Sequence, residues 1–400
     1  MAVEPSLPDA PSPSPVAQSP EPIIYNPPEP ATIPGPIPSP SPSPTKPSPI
    51  RPSKGVKAAY WPSFNGFPVS SIDTSYFTHI YYAFLLPDTV TYKLVITPND
   101  ESMLPSFVST LRAQKSTVKT MLSIGGAGNI TEVFSAIANT SSNRAIFIQS
   151  AIEIARHYGF DGVDIDWEFP LDQQDMDNLG VLYKEWRKAL NNEAMATGRT
   201  RLLLTSAVYY SSTVPLDGVT RSYPGESICK HVDWVSPMCY DYHGSWENNT
   251  GLHSALFDPR SVLSTQYGLH SWLGIGVPQK KLVMGLPVYG HTWTLKDPNL
   301  HTVGAEAVGI GPGFGGFYSY SDVANFNRMN NATVVYDPVM ESMYSYAGNI
   351  WIGYDDPNSV GKKVQFARSY ELRGYFFWAL GQDLDWDISR QGMNLDLFEN

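Results

Sequence analysis

The sequence predicts a single (β/α)8 barrel with a small α+β insertion, and three observations support this fold class. Eight short runs of apolar, β-branched and aromatic residues alternate with helical stretches from residue 55 onward, an order that is typical of a parallel barrel. More than 80 residues separate the seventh run from the eighth, which is too long for a simple loop. No G-x-G-x-x-G phosphate loop follows the first run, and an open, doubly wound sheet is therefore the weaker alternative.

The strand candidates share a run of β-forming residues bounded by polar or turn residues. In chain order they are 56–61, 79–84, 118–124, 162–168, 202–208, 233–241, 281–290 and 374–380. Between them, apolar residues at helical spacing predict one helix over 143–159, which Gly159 closes, and another over 176–194. Residues 357–374 are expected to include the last barrel helix.

The predicted insertion lies between the seventh strand and the last barrel helix, at about residues 291–350. This segment is rich in Gly, Tyr and turn residues, and it contains "TVVYDP" and "ESMYSYAG" as short strand candidates. A segment of this length without helical periodicity fits a small inserted subdomain better than a loop.

The composition changes sharply near residue 54. The first 54 residues hold 19 of the 35 prolines, and few apolar side chains there could form a core. We therefore predict an extended tail or linker over residues 1–54 and a folded domain over 55–400. The tail is either a spacer or a hydroxylated, O-glycosylated segment in contact with the cell wall, since Ser-Pro repeats suit that modification.

Charge and hydropathy exclude several classes of protein. The formal net charge of -11 argues against nucleic acid as a partner, and no apolar run is long enough to span a bilayer. The N-terminus lacks the features of a signal peptide. Four Asn-x-Ser/Thr sequons nevertheless fit an extracellular or cell-wall protein. They are at Asn129, Asn139, Asn248 and Asn331. We expect this protein to be a monomer.

The two cysteines, Cys229 and Cys239, are predicted to be free thiols. An extended chain between them would hold them too far apart for a disulfide. Cys239 lies in an apolar run and is expected to be buried.

The stretch "DGVDIDWEFP", residues 161–170, carries the strongest functional signal. Residues two apart in a strand share a face. Asp164, Asp166 and Glu168 therefore face the barrel interior, while the apolar residues between them face the helices. Asp161 is out of register with the inward face, and we interpret it as structural.

Burial of several carboxyl groups costs several kcal/mol unless they are paired, hydrogen-bonded or protonated. Such a cost is usually retained for chemistry, and Glu168 ends the strand at the face where barrel active sites form. A divalent metal site is a weaker alternative, because metal ligands in barrels usually come from several strands and no His accompanies these acids. A purely structural acidic cluster is a second weaker alternative. General acid catalysis on a glycosidic bond explains the pattern best.

The pattern D-x-x-D-x-D-x-E over residues 161–168 resembles the signature of glycoside hydrolase family 18, the chitinases and their relatives. "SIGG" (123–126) and "MCYD" (238–241) resemble two further motifs of that family. The resemblance covers about residues 55–396 and includes the insertion. Within the family the chain is most similar to plant class V chitinases, on the basis of "AYWPSFNGFP", "MCYDYHGSW" and "WIGYDD".

The resemblance implies a role for each of four residues. Glu168 would protonate the leaving glycosidic oxygen, and Asp166 would hydrogen-bond first Glu168 and then the acetamido N–H of the substrate. Asp164 would share a proton with Asp166. Tyr240 would donate to the acetamido carbonyl oxygen as that oxygen attacks the anomeric carbon, so no enzyme nucleophile, metal or cofactor is needed.

The resemblance and the positions at strand ends also indicate residues that bind the sugar. The predicted set is Trp378, Met238, Asp241, Tyr60, Phe84, Gly126 and Tyr289. Trp246 and Trp293 are expected in loops after the sixth and seventh strands, where a tryptophan either stacks on a sugar or caps the barrel.

Three functions remain open at the level of sequence. The first is a retaining chitinase that hydrolyses β-1,4 bonds between N-acetylglucosamine units. The second is a chitin-oligosaccharide-binding lectin or receptor ectodomain on the same fold, because fold does not determine function. The third is a hydrolase of another acetamido sugar polymer. The presence of the acid, both aspartates and the tyrosine favours the chitinase.

Overall fold

The computed structural model describes residues 55–115 and 117–394. The predicted tail, residues 1–54, lies outside the described residues, and its prediction stays untested. No helix of the described ranges is both long enough and apolar enough to cross a bilayer.

The strands of the described chain fall into a barrel, a second sheet and a hairpin. In chain order they are β1 Val56–Pro62, β2 His79–Leu85, β3 Lys119–Gly126, β4 Gly162–Trp167, β5 Leu203–Tyr209, β6 Thr213–Leu216, β7 Val219–Ser222, β8 Trp234–Met238, β9 Val283–Pro287, β10 Tyr289–Leu295, β11 Ala307–Ile310, β12 Phe317–Ser319, β13 Thr333–Asp337, β14 Ser342–Ala347, β15 Ile350–Tyr354 and β16 Gly374–Trp378.

The helices of the described chain follow most of the barrel strands. In chain order they are α1 Pro98–Gln114, α2 Thr131–Asn139, α3 Ser141–Tyr158, α4 Gln173–Thr197, α5 Gly225–His231, α6 Thr265–Gly274, α7 Tyr320–Met329, α8 Pro357–Ser369 and α9 Asp387–Asn394. Short 3-10 turns occupy Val69–Ser71, Thr74–Tyr76 and Gln279–Lys281.

Eight parallel strands form the barrel. Their order in the sheet is β8-β5-β4-β3-β2-β1-β16-β9, and a parallel bridge between Val235 and Leu282 joins the two ends. The predicted (β/α)8 barrel is thus confirmed, with all eight strand candidates in the barrel sheet. The candidate 281–290 is in fact two strands, because β9 and β10 are separated only by Val288.

Alternation along the strands separates an inner layer from an outer core. Val163, Ile165 and Trp167 of β4 point outward and join the large hydrophobic core, to which Leu182 and Trp186 of α4 also belong. The outward apolar face of the strand and the apolar stripe of the helix therefore bury each other. As a result, the intervening acidic residues of β4 point into the barrel.

Local signals define where the helices begin and end. Gly159 follows α3 with φ of 80° and its backbone N–H bonds to the carbonyl of Ala155, as the sequence predicts for a left-handed helix end. Asp356 precedes α8 and accepts a hydrogen bond from the backbone N–H of Ser359 in a capping box. Each device satisfies backbone groups that a helix end leaves unpaired.

The predicted insertion is an antiparallel sheet with one helix, and the prediction of an α+β subdomain is confirmed. The sheet order is β11-β10-β15-β14-β13, with β12 paired to β10, and α7 follows β12. The two strand candidates of the sequence correspond to β13 and β14. The sequence did not indicate α7, or the β6–β7 hairpin that follows β5.

The prediction that Trp293 lies in a loop is wrong. The chain continues from β9 into β10, so Trp293 is a strand residue that is 0% exposed. It packs edge-on against Trp351 in the core of the insertion, with ring centroids 5.4 Å apart. Trp246, in contrast, lies in a loop after β8 and is 62% exposed.

The two cysteines and Asp161 behave as the sequence predicts. Cys229 and Cys239 are both free thiols, and Cys239 is buried. Asp161 forms ion pairs with Arg112 at 3.2 Å and with Lys119 at 3.0 Å, away from the barrel interior. These contacts support its interpretation as a structural residue.

Candidate active site

A cavity of about 110 Å³ opens at the C-terminal ends of the barrel strands, the face where barrel active sites form. Eight of the predicted site residues line it together. They are Tyr60, Phe84, Asp166, Glu168, Met238, Tyr240, Asp241 and Trp378. Residues from β1, β2, β4, β8 and β16 and from the segments after β4 and β8 thus converge on one point.

Asp164 lies below this cavity, where the barrel buries it completely. Its carboxyl group accepts hydrogen bonds from three hydroxyl groups, those of Tyr60 at 3.0 Å, Ser123 at 2.7 Å and Thr205 at 2.6 Å. Burial raises the pKa of Asp164, and the three donors oppose that rise. Donors on β1, β3 and β5 therefore hold Asp164 in a fixed orientation under Asp166.

Asp166 is the next inward residue of β4 and is only 4% exposed. Its Oδ1 is buried and has no hydrogen-bond partner among the described residues. Burial, together with the charges of Glu168 and Asp164, holds the pKa of Asp166 well above its usual range. The hydrogen bond to Glu168 and the proton shared with Asp164, which the family resemblance implies, stay predictions.

Glu168 stands one residue beyond the end of β4 and faces the cavity. Burial, followed by the negative charge of Asp241, raises the pKa of Glu168 to about 7. A carboxyl group with such a pKa holds its proton in weakly acidic solution. That protonation state is the one that a general acid needs.

Tyr240 lies across the cavity from this strand, two residues beyond the end of β8. Its ring makes edge-on contacts with Tyr289 and Phe376, each at 6.1 Å between centroids. Burial and the negative charge of Asp166 hold the pKa of Tyr240 well above its usual range. The phenol therefore keeps its O–H group and can donate a hydrogen bond into the cavity.

Asp241 is held differently from the acids of β4. Its Oδ1 accepts hydrogen bonds from the hydroxyl of Tyr289 at 2.5 Å and from Nε2 of His291 at 2.9 Å. Nδ1 of His253 lies 3.6 Å from the same oxygen. Surrounding protein atoms tend to raise the pKa of Asp241, but the contacts with His253 and His291 outweigh them and hold that pKa below its usual range. Asp241 therefore stays ionised beside a protonated Glu168.

An aromatic wall closes the other side of the cavity. The rings of Phe84 and Trp378 stack with centroids 5.7 Å apart, and Tyr60 meets Trp378 edge-on at 5.7 Å. Gly126 makes this arrangement possible, because a Cβ atom there would lie 2.6 Å from the ring of Phe84. Its φ of 93° also favours glycine. Flat apolar rings of this kind suit the faces of a sugar.

A second cavity, of about 430 Å³, lies on the other side of Glu168. Its wall includes Phe169, Tyr209 and Leu216 and the exposed Trp246. Glu168, Met238, Tyr240 and Asp241 line both cavities. The carboxyl group of Glu168 therefore lies between two cavities, each able to receive part of an extended ligand.

Every residue of the predicted site lies in or beside the cavity. Gly126 ends β3 beside Phe84, and Tyr289 contacts both Tyr240 and Asp241. His253 and His291 were missed, because only the folded chain brings them to Asp241. The one signal for His291 is its position two residues after Tyr289, on the same face of β10.

The sequence model of "Glycosyl hydrolases family 18" matches residues 56–383. Class V chitinase CHIT5a of Medicago truncatula is 55% identical over 342 residues, which cover 85% of this chain and 89% of that protein.

Two solved structures are similar over most of the chain. A variant of class V chitinase from Nicotiana tobaccum in complex with NAG4 is 38% identical with a TM-score of 0.83, and the match covers 85% of this chain and 98% of that one. The chitinase-like agglutinin from Robinia pseudoacacia is 38% identical with a TM-score of 0.78, covering 85% and 99%.

Proposed function

The chain belongs to the glycosyl hydrolases of family 18, and from this premise we propose that it is an active chitinase. The proposed reaction is hydrolysis of β-1,4 bonds between N-acetylglucosamine units with retention of the anomeric configuration. Its substrates are chitin and N-acetylglucosamine oligosaccharides, and the acetamido group of the substrate itself acts as the nucleophile.

One observation carries this proposal: Glu168, whose pKa is raised to about 7, shares a cavity with Asp166 and Tyr240. A protonated Glu168 supplies the acid. Tyr240 retains a hydroxyl proton, and the buried, unpartnered Oδ1 of Asp166 is an acceptor without a donor. Glu168 can thus protonate a glycosidic oxygen, and Tyr240 can donate to an acetamido carbonyl. Oδ1 of Asp166 can accept from an acetamido N–H.

The first chemical step breaks the glycosidic bond. Glu168 donates its proton to the glycosidic oxygen, and the C1–O bond breaks with both electrons going to that oxygen. The carbonyl oxygen of the acetamido group on the same sugar forms a new bond to C1, and a cyclic oxazolinium ion results. Tyr240 orients the carbonyl oxygen. Asp166 passes its proton to Asp164, as the family resemblance implies, and the carboxylate so formed accepts the N–H and stabilises the cation.

The second step consumes water and restores the enzyme. Glu168, now ionised, takes a proton from a water molecule as the oxygen of that water attacks C1. The C1–O bond of the oxazolinium ring breaks, and the acetamido group is regenerated. Because C1 has been inverted twice, the new reducing end has the β configuration.

The anomer of the first product tests the mechanism directly. Proton NMR within minutes of mixing the enzyme with an N-acetylglucosamine oligomer reads the anomer before mutarotation, and we expect the β anomer. A substrate with glucosamine in place of N-acetylglucosamine at the attacked position should remain uncut. An initial α anomer, or cleavage of the deacetylated bond at a comparable rate, would show that the mechanism is wrong.

A chitin-oligosaccharide-binding lectin is the second candidate, because the similar Robinia pseudoacacia protein is named an agglutinin. A single measurement, the release of shorter products, distinguishes the two functions. A lectin would bind N-acetylglucosamine oligomers and release no shorter products after long incubation. Shorter products that disappear when Glu168 is replaced by Gln identify the chain as an enzyme.

We also propose an extracellular or cell-wall location, on the basis of the four sequons and the Pro-rich first 54 residues. A monomeric state stays a prediction. Fractionation of the tissue that makes the protein, followed by size-exclusion chromatography with light scattering, tests both.

A further inference from the structure

We propose that Asp241, His253 and His291 form a Zn²⁺-binding site beside the catalytic carboxyl groups. Each of the three residues offers one ligand atom, and these atoms all lie within 4.8 Å of one another. This proposal rests only on the geometry of the three side chains, and it holds whether the cleft hydrolyses a sugar or merely binds it.

The distances in the cluster suit one small cation. Oδ1 of Asp241 lies 2.9 Å from Nε2 of His291 and 3.6 Å from Nδ1 of His253. In a tetrahedral zinc site with bonds of roughly 2.0–2.1 Å, neighbouring ligand atoms lie about 3.3 Å apart. The two measured distances lie on either side of that value, so small side-chain shifts would complete the coordination.

The orientation of His253 is set for metal binding. Its Nε2 lies 3.1 Å from the backbone carbonyl oxygen of Tyr289. A carbonyl only accepts hydrogen bonds, so Nε2 carries the hydrogen and Nδ1 of the neutral ring carries a lone pair. Metal-binding histidines typically donate their second N–H to a carbonyl in this way, which fixes both the tautomer and the ring.

The lone pair on Nδ1 of His253 has no hydrogen-bond partner among the described residues, although the ring is 0% exposed. The nearest charged atom is an oxygen of Asp241, which is itself an acceptor. When the ring is neutral these two acceptors repel, and a cation between them removes the repulsion: either a proton on Nδ1, which turns the ring into an imidazolium that donates to Asp241, or a metal ion. A zinc ion satisfies both. His291 becomes the third ligand when its ring hydrogen moves from Nε2 to Nδ1, which has no hydrogen-bond partner among the described residues, and Nε2 then offers a lone pair.

A metal ion can reach this site from solvent, and the charge at the site favours a cation. The side chain of Asp241 is 46% exposed at the cleft, so an ion can reach the site from solvent. Asp241 itself is ionised, and its negative charge attracts a dication. Two imidazoles with one carboxylate suit Zn²⁺ rather than Mg²⁺ or Ca²⁺, which prefer oxygen ligands.

Titration calorimetry with ZnCl2 on the full chain tests the proposal. We expect one Zn²⁺ per protein, with no comparable binding of Mg²⁺ or Ca²⁺. X-ray absorption of the complex should show two imidazole nitrogens and one carboxylate oxygen at roughly 2.0–2.2 Å from the metal. The absence of a one-to-one complex, equal binding of Mg²⁺, or a first shell without imidazole would each overturn the proposal.

Two variants assign the site to these residues. In His253→Gln the amide N–H can still reach the carbonyl of Tyr289, and in His291→Gln it can still reach Asp241, but neither amide replaces an imidazole as a ligand. Because losing even a supporting partner typically costs 10–100-fold in metal affinity, we expect each variant to bind Zn²⁺ about 100-fold more weakly or worse.

His157→Asn is the matched control, since His157 is exposed on α3 and lies outside the cluster. It should bind Zn²⁺ like the unmodified chain. The melting temperature of each variant, measured without metal, shows whether the variant is folded. The X-ray absorption spectrum of the unmodified chain tests the ligands without any variant. Unchanged affinity in both glutamine variants, or loss of binding in His157→Asn, would contradict the assignment.

Discussion

Two carboxyl groups that line the same cavity hold different charges because their neighbours differ. Glu168 is surrounded by protein atoms and by the negative charge of Asp241, which raises its pKa. Asp241 receives hydrogen bonds from Tyr289 and His291, and its pKa is lowered. An acid beside an ionised carboxylate is the pairing that proton-transfer chemistry on glycosidic bonds requires.

Replacement of Glu168 by Gln should abolish hydrolysis and preserve the binding of oligosaccharides. The amide is nearly isosteric but has no acidic proton to donate. Because acid catalysis contributes roughly 10²–10⁴-fold, the rate should fall at least about 100-fold. Product release from N-acetylglucosamine oligomers measures the rate, and calorimetry measures the binding.

The control for this variant is Glu153→Gln, which removes an exposed carboxyl group on α3. Its rate should equal that of the unmodified chain. A Glu168→Gln variant that keeps more than about a hundredth of the original rate would rule out the proposed acid.

The raised pKa of Glu168 predicts how kcat/KM depends on pH. The reactive form is the protonated acid, so kcat/KM should fall as pH rises through about 7. Asp241→Asn removes the negative charge that disfavours ionisation of Glu168, and the pKa of Glu168 should then be lower. The descending limb of the pH profile should therefore move toward acid.

Initial rates at low substrate concentration across the pH range measure this shift. Burial remains in the variant, so the limb should stay above the ordinary pKa of a glutamic acid. A limb that stays in place or moves toward alkaline pH would mean that Asp241 does not act on Glu168 through its charge.

At the scale of elements, the ends of the barrel strands decide the shape of the cleft. β3 ends in Gly126, and the missing side chain there leaves room for Phe84 at the end of β2. Phe84 in turn stacks on Trp378, the last residue of β16. Three strands thus build one wall. The stacking of Phe84 on Trp378 depends on the absence of a side chain at Gly126.

Gly126→Ala should weaken sugar binding and lower the free energy of unfolding. Its new Cβ atom would lie 2.6 Å from Phe84, so the ring must move away from Trp378. A left-handed backbone costs an alanine roughly 1–2 kcal/mol. Denaturant titration measures the stability, and calorimetry with oligosaccharide measures the affinity.

Gly274→Ala is the appropriate control, because a Cβ atom at this last residue of α6 meets nothing within 4 Å. Its affinity for oligosaccharide should equal that of the unmodified chain. If Gly126→Ala binds oligosaccharide equally well, the aromatic wall does not contact the sugar.

At the scale of the whole molecule, the barrel acts as a scaffold that brings loops and strand ends together. The family match covers residues 56–383 and leaves out the Pro-rich first 54 residues. A segment with few apolar residues contributes little to a core. Stability and activity on soluble substrates should therefore belong to the chain from residue 55 onward.

Deletion of residues 1–54 should leave the melting temperature and the activity on soluble oligosaccharides almost unchanged. Differential scanning calorimetry and product analysis of the shortened and full chains measure both. A drop in melting temperature of more than roughly 5 °C would mean that the tail packs on the barrel, because such a drop corresponds to about 1 kcal/mol or more in a large domain.

The sequence by itself determined the features that depend on local periodicity. Alternation along residues 162–168 was enough to place Asp164, Asp166 and Glu168 on one face of β4, and helical spacing before Gly159 was enough to end α3. Both features follow from backbone geometry over a few residues, so the local sequence is enough to predict them.

Only the tertiary structure decided which distant residues meet. His253 comes from the loop between β8 and α6 and His291 from β10, and both contact Asp241. His291 reaches it because the insertion continues directly from the barrel through Val288. The same continuity buries Trp293, for which the sequence predicted a loop. Local patterns carry no information about such contacts, because the packing of the whole chain sets the distance between residues far apart in sequence.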